Sequence, residues 1–276
     1  MEVEPCLLDM KMKITKKITD MKNLSWTKTR QSSGTAGSYL KSYSYQNGLK
    51  VYYKLPYFDE ENQIFGYEAF NEIIAAKICE KLSFNHLDYN LINAEIMIKN
   101  NIYNAYLNYS YDFKKINESK ITFENYYEIN KEKNENIIDF CIRNDFIEDI
   151  YNIIILDYLI LNRDRHGANV EILYNHKKQE YRLAPIFDNG LSLLSPAYQK
   201  EQIAKYNIDD NKKVISFIGP SLEENIKLVP KDKLQNINFD VDDLFDEIRD
   251  ILDETYMEKA KSLIKRRLKE IENLCC

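Results

Sequence analysis

The stretch that most constrains this chain is YNIIILDYLI, residues 151–160, running directly into LNRDRHGAN, residues 161–169. Ten almost wholly apolar residues read as a helix buried on all sides, with Asp157 as the only charge. Such a helix needs a core around it, so the chain must build a helical layer here. The run is too short and too interrupted to span a bilayer. The next nine positions hold two arginines, an aspartate, a histidine and two asparagines. A dense polar loop anchored to a rigid core helix is how a fold holds functional side chains in place. Asp157 itself reads as a structural hydrogen-bonding group.

The rest of the chain bounds what that helix can belong to. A length of 276 residues suits one large domain or two modest lobes. Hydrophobic residues make up 44% and charged residues 30%, a globular balance. The net charge of −6 argues against direct nucleic-acid binding. The five cysteines are odd in number and scattered, with no C-x-x-C pair. Cys79 and Cys141 sit among apolar residues and read as core, which fits a reducing cytoplasm. The first twenty residues lack the apolar core of a signal peptide, so a cytoplasmic protein without a membrane segment is expected.

Glycine and proline are scarce, so each one is informative. Asn47–Gly48 separates two alternating runs and predicts a hairpin of Ser38–Tyr45 with Leu49–Leu55. EAFNEIIAAKICEKL, residues 68–82, carries apolar residues at helical spacing. Residues 94–113 read as two more strands around an Asn100–Asn101 turn. Beyond this the chain turns helical, with two helices or one interrupted helix over residues 136–162. Val170–Tyr174 and Glu180–Leu183 predict an inserted hairpin, and the tail from Asp242 to Leu274 predicts one amphipathic helix or a pair. The expected class is α+β with two lobes. Residues 1–110 form a small β-rich lobe with one helix, and residues 111–276 a larger, mainly helical lobe.

Asp164 and Asn169 lie five apart in the polar loop, and the hairpin can return Asp188 beside them. Two carboxylates and an amide oxygen are hard ligands of the kind a Mg²⁺–phosphate site uses. Phosphoryl transfer also needs a carboxylate to orient the attacking hydroxyl. The plainer alternative is that these are ordinary loop and cap residues, as Asp and Asn often are.

DRHGAN followed by a hairpin and PIFD resembles the catalytic segment of the HipA-like serine/threonine kinases, with its D-x-H-x-x-N and P-x-[FY]-D motifs. The pattern is also similar to that of phosphatidylinositol kinases, and both groups share a two-lobed kinase architecture. The resemblance implies an ATP-dependent enzyme using Mg²⁺, with Mn²⁺ as an alternative, in a compact kinase-core version. Asp164 would be the catalytic base, His166 its supporting scaffold, and Asn169 and Asp188 the metal ligands. Arg163 and Arg165 would touch phosphate or substrate, or else pair with surface acids. Lys54, at the end of a strand, would reach the α- and β-phosphates. A helix glutamate would hold it: Glu72 by the register N-E-x₆-[AC]-x-x-L, with Glu68 a competitor one turn earlier. Ser33, Gly34, Thr35, Ala36, Gly37 and Ser38 would form the loop covering the phosphates, though the lysine that usually follows its glycine is missing. Ser32 or Ser33 would be the site of autophosphorylation. Asn108–Tyr111, with Asn108 and Tyr109 foremost, would supply the backbone hinge for adenine. A protein substrate, and a DNA-binding antitoxin partner encoded nearby, follow from the resemblance alone.

Other classes remain open from the residues. A lipid or small-molecule kinase would use the same fold, and the lack of a basic membrane-facing segment argues against a phosphoinositide. A catalytically silent nucleotide- or partner-binding module would not need Asp164, Asn169 and Asp188 together. A metal-dependent phosphoesterase would leave Lys54 without a role, and the chain has only three histidines.

Overall fold

The computed structural model describes residues 12–27, 39–209 and 213–275. Strand β1 (Ile14–Asp20) opens it. β2 (Lys41–Gln46) and β3 (Leu49–Lys54) form the expected hairpin. Its turn residues Asn47 and Gly48 have φ of 51° and 80°, the left-handed pair that a tight hairpin turn requires. The short strands β4 (Phe58–Asp59) and β5 (Ile64–Phe65) lead into helix α1 (Glu68–Leu82). β6 (Asn90–Ile98) and β7 (Asn101–Tyr111) complete a five-stranded sheet in the order β1-β6-β7-β3-β2. Among the described strands of this sheet only β1 and β6 run parallel.

Two details differ from the sequence reading. The turn between β6 and β7 falls on Lys99 and Asn100, one residue early, with φ of 47° and 70°. The resulting register pairs Ile98 with Asn101 and Ile92 with Leu107. A one-residue slip would turn Ala105 and Leu107 out of the core, so burial sets the turn. β1 was not anticipated: it is a half-exposed edge strand, and ITKKITD carries little alternation.

After β7 come β8 (Glu118–Thr122), α2 (Phe123–Asn130), α3 (Ile137–Arg143) and α4 (Ile147–Ile160). The apolar region is thus two helices, broken where Asp145 takes a φ of 59°. β9 (Asp164–Arg165) and a 3₁₀ turn at Gly167–Asn169 carry the polar loop. β10 (Glu171–Asn175) and β11 (Glu180–Leu183) make the hairpin, and β8 pairs on the free side of β10. The remaining elements are α5 (Lys200–Lys205), β12 (Ile215–Ser216), α6 (Leu222–Asn225), α7 (Lys231–Leu234) and α8 (Glu254–Cys275). The tail is therefore one long helix, introduced by a 3₁₀ turn at Asp242–Phe245.

The main apolar core joins Ile73, Ile74 and Ile78 of α1 to Ile154 and Leu159 of α4 and to Leu263 and Ile264 of α8. Helix α1 is thus buried on one side by the sheet and on the other by the helical lobe. The sheet adds smaller clusters around Leu107 and Val51. Cys79 and Cys141 are buried, as their apolar surroundings suggest. Among the described residues no helix is long and apolar enough to cross a membrane.

Candidate active site

The end of α4 explains how the polar loop is held. Leu161 takes a φ of 51°. Its N–H bonds the Tyr158 carbonyl at 3.4 Å, and the Asn162 N–H bonds the Asp157 carbonyl at 2.9 Å. This left-handed closure stops the helix without glycine. The Asp157 carboxylate, one turn back, then gathers the loop. It accepts from Asn162 Nδ2 at 2.8 Å and from the Arg165 guanidinium at 2.9–3.2 Å.

Arg165 is 1% exposed, so it neither reaches a phosphate nor pairs with a surface acid. It donates to the Phe187 carbonyl at 2.6 Å and to Asn189 Oδ1 at 2.5 Å. It therefore clamps the residues on both sides of Asp188 to the loop that carries Asp164. Arg163 also braces from behind, donating to the Leu193 carbonyl at 2.9 Å and the Tyr206 hydroxyl at 2.7 Å.

Across the cleft, Lys54 ends β3 and pairs with both Glu72 and Asp188. Lys54 Nζ lies 3.2 Å from Glu72 Oε1 and forms a close ion pair with Asp188 Oδ1. The second Glu72 oxygen accepts the Asn189 N–H at 2.8 Å. One buried carboxylate thus fixes the lysine and the segment holding Asp188 together. Glu68 is engaged elsewhere, by the Tyr198 and Tyr39 hydroxyls at 2.6 and 3.2 Å and by the Tyr57 N–H at 3.0 Å. That leaves Glu72 as the partner of Lys54.

Burial opposes the charge on Lys54, but Asp188 and Glu72 outweigh it and hold the ammonium above its ordinary value. Glu72 is pushed up by burial, against the pull of Lys54 and with added repulsion from Asp188. Asp188 sits at a φ of 61°, a left-handed conformation that aspartate tolerates better than most residues. Its N–H is bonded to the Tyr89 hydroxyl at 3.2 Å.

Asn169 donates through Nδ2 to the Asp164 carbonyl at 2.8 Å, while its Oδ1 is buried without a partner among the described residues. A buried amide oxygen left open is a hard donor of the kind a divalent cation takes. Asp164 is half-exposed, and His166 Nε2 lies 3.8 Å from its carboxylate. The other ring nitrogen of His166 accepts the Ala168 N–H at 3.3 Å, which orients the imidazole. Among the described residues no three His, Cys, Asp or Glu side chains gather as a metal cluster. An ion here would rest on Asp188, Asn169 and its ligand's own oxygens.

Ser32, Ser33, Gly34, Thr35, Ala36, Gly37 and Ser38 lie outside the described residues. Asn108 and Tyr109 do not form a hinge with free backbone. They lie inside β7, paired to Lys54 and Tyr53 of β3 and to Leu91 and Asn90 of β6. The Asp112 N–H bonds the Lys50 carbonyl at 3.1 Å, which sets which backbone groups face β3. By the alternation of an antiparallel ladder, Tyr111 is the first residue whose backbone faces past the end of β6. Asn71 and Tyr89 also escaped the sequence reading. Asn71 Nδ2 donates to the Gly190 and Ser192 carbonyls at 2.9 and 3.1 Å, and its oxygen accepts from the Tyr256 hydroxyl at 2.6 Å. The available signal was a polar residue beside Glu72 in an otherwise apolar helix; Tyr89 offered none.

Lys54, Tyr89, Asn108, Phe113, Phe187 and Asp188 line one cavity of about 1020 Å³. Its lining includes both faces of the β2–β3–β7 region, so only part of that volume lies between the lobes.

No protein-family model and no curated protein matches the sequence. Solved structures do match. The Helicobacter pylori proinflammatory kinase CtkA superposes with a TM-score of 0.65 at 19% identity, over 94% of this chain and 97% of that one. A chain from the Shewanella oneidensis MR-1 toxin–antitoxin complex of HipA, HipB and operator DNA gives 0.50 at 12% identity, over 90% of this chain and 68% of that one. This chain has a HipA-like kinase fold. Within the HipA-like fold, the sheet and α1 carry Lys54 and Glu72, and the helical part carries Asp164, Asn169 and Asp188.

Proposed function

We propose that the protein is an ATP- and Mg²⁺-dependent kinase that transfers the γ-phosphate to a serine or threonine hydroxyl of a protein. The observation that carries this reading is the chain of contacts from Glu72 through Lys54 to Asp188, a segment that Arg165 ties to the loop bearing Asp164 and Asn169. Lys54 would release part of its hold on Asp188 and bind the phosphates, while Glu72 keeps the ammonium in place. Asp188 and Asn169 would hold Mg²⁺, which neutralises charge on the β- and γ-phosphates when bound. The Asp164 carboxylate would orient the acceptor hydroxyl and take its proton as the acceptor oxygen bonds phosphorus and the ADP oxygen departs. His166 would keep that carboxylate in position. Self-modification at Ser32 or Ser33 belongs to the same proposal. So does a partner protein, since the Shewanella HipA is seen with HipB and DNA.

Labelled ATP and Mg²⁺, with the protein alone and with a cell lysate, test this directly. The wild type should transfer label, and Asp164→Ala, Asp188→Ala and chelation by EDTA should each abolish it. Equal labelling by wild type and both variants would overturn the assignment.

A further inference from the structure

We propose that the Asn108 side chain reads the base of the bound nucleotide and selects adenine over guanine. This rests on the nucleotide-binding reading above and adds to it a residue whose backbone is already committed to the sheet. Asn108 is 2% exposed, and its Nδ2 is buried with no hydrogen-bond partner among the described residues. It lines the same cavity as Lys54 and Asp188. In the ladder it stands directly across from Lys54, and residues so paired project from the same face of a sheet. An amide beside the phosphate-binding lysine, at the back of the cleft, is placed to meet a base whose phosphates lie at Lys54.

The walls around it suit a flat ring. Tyr52 lies two residues before Lys54 and so on the same face of β3. Phe113 and Phe187 stack with centroids 5.6 Å apart, and both line the cavity. Among such walls specificity must come from few polar groups. A buried donor left unpaired is costly, and a ligand acceptor relieves that cost. The adenine edge that offers N7 as acceptor and N6 as donor matches both ends of an asparagine amide. The same edge of guanine offers two acceptors, N7 and O6. Whichever way the amide turns, one acceptor then faces another.

Competition binding with ATP, GTP and 7-deaza-ATP tests the assignment on the intact chain. The wild type should prefer ATP to GTP by roughly tenfold or more, as one bidentate contact allows. It should also bind 7-deaza-ATP more weakly than ATP by several fold. Asn108→Leu should bring the three ligands to within about threefold of one another, since the side chain then offers no polar contact. The 7-deaza comparison on the wild type needs no substitution, so a variant that fails to fold leaves the test intact. If the wild type binds ATP but treats 7-deaza-ATP and GTP as equals of it, the role of Asn108 is overturned and nucleotide binding stands. If the wild type binds none of the three, the kinase reading falls and this inference with it.

Discussion

At the residue scale, the ion pair of Arg165 and Asp157 carries the most weight. It is buried, its closest oxygen and nitrogen are 2.9 Å apart, and it joins α4, the Asp164 loop and the Asp188 segment. Removing one partner leaves the other charged and unpaired in the core. Arg165→Met should cost about 3–5 kcal/mol of stability in urea denaturation, because a lone buried charge is that unfavourable. Adding Asp157→Leu should recover most of the loss, and a double variant as weak as the single would sink this account. The sequence exposed half of the pair. A lone aspartate inside YNIIILDYLI asks for a partner, but an arginine eight residues on, past a helix end, has no periodic relation to it. Asp164, Asn169 and Asp188 could be picked out as candidates because their spacing follows a motif. That the Asn108 backbone is paired within the sheet was not legible, because strand register is a tertiary property.

At the scale of elements, the site depends on how closely the 3₁₀ turn at Gly167–Asn169 packs on the start of α2. A Cβ on Gly167 would lie 2.7 Å from Glu124 Cβ and 3.3 Å from the Glu124 nitrogen. Neither atom is the free end of a side chain, so the turn itself must shift. Gly167→Ala should lower stability by about 1–3 kcal/mol, the usual cost of overpacking. Its effect on the proposed phosphotransfer should be larger, roughly tenfold to a hundredfold, because Asn169 moves with the turn. Thermal melts beside label-transfer rates check this; an unchanged rate would show that the turn does not position Asn169. Local turn chemistry made the Asn47–Gly48 hairpin readable in advance. β8 was not, since ESKIT gains its strand character from lying against β10.

For the whole molecule, α1 matters beyond its length. Its apolar side chains belong to the same core as α4 and α8, while Glu72 and Asn71 on it hold the Asp188 segment. The division at residue 110, expected from the order of strands and helices, separates α1 from the helices it packs against. A fragment of residues 111–276 should keep helical far-UV signal yet lose near-UV signal and a cooperative melt, because the faces of α4 and α8 that meet α1 would be bare. A sharp, full-chain-like melt of that fragment would contradict the shared core. The Arg165 clamp carries a consequence for inhibitor chemistry. A compound that works by swinging Asp188 outward must first part Phe187 and Asn189 from a buried guanidinium, and it draws on its own affinity to do so. Ligands that enter beside Phe113 and leave Asp188 where it lies meet no such penalty, so inhibitor screens should favour them.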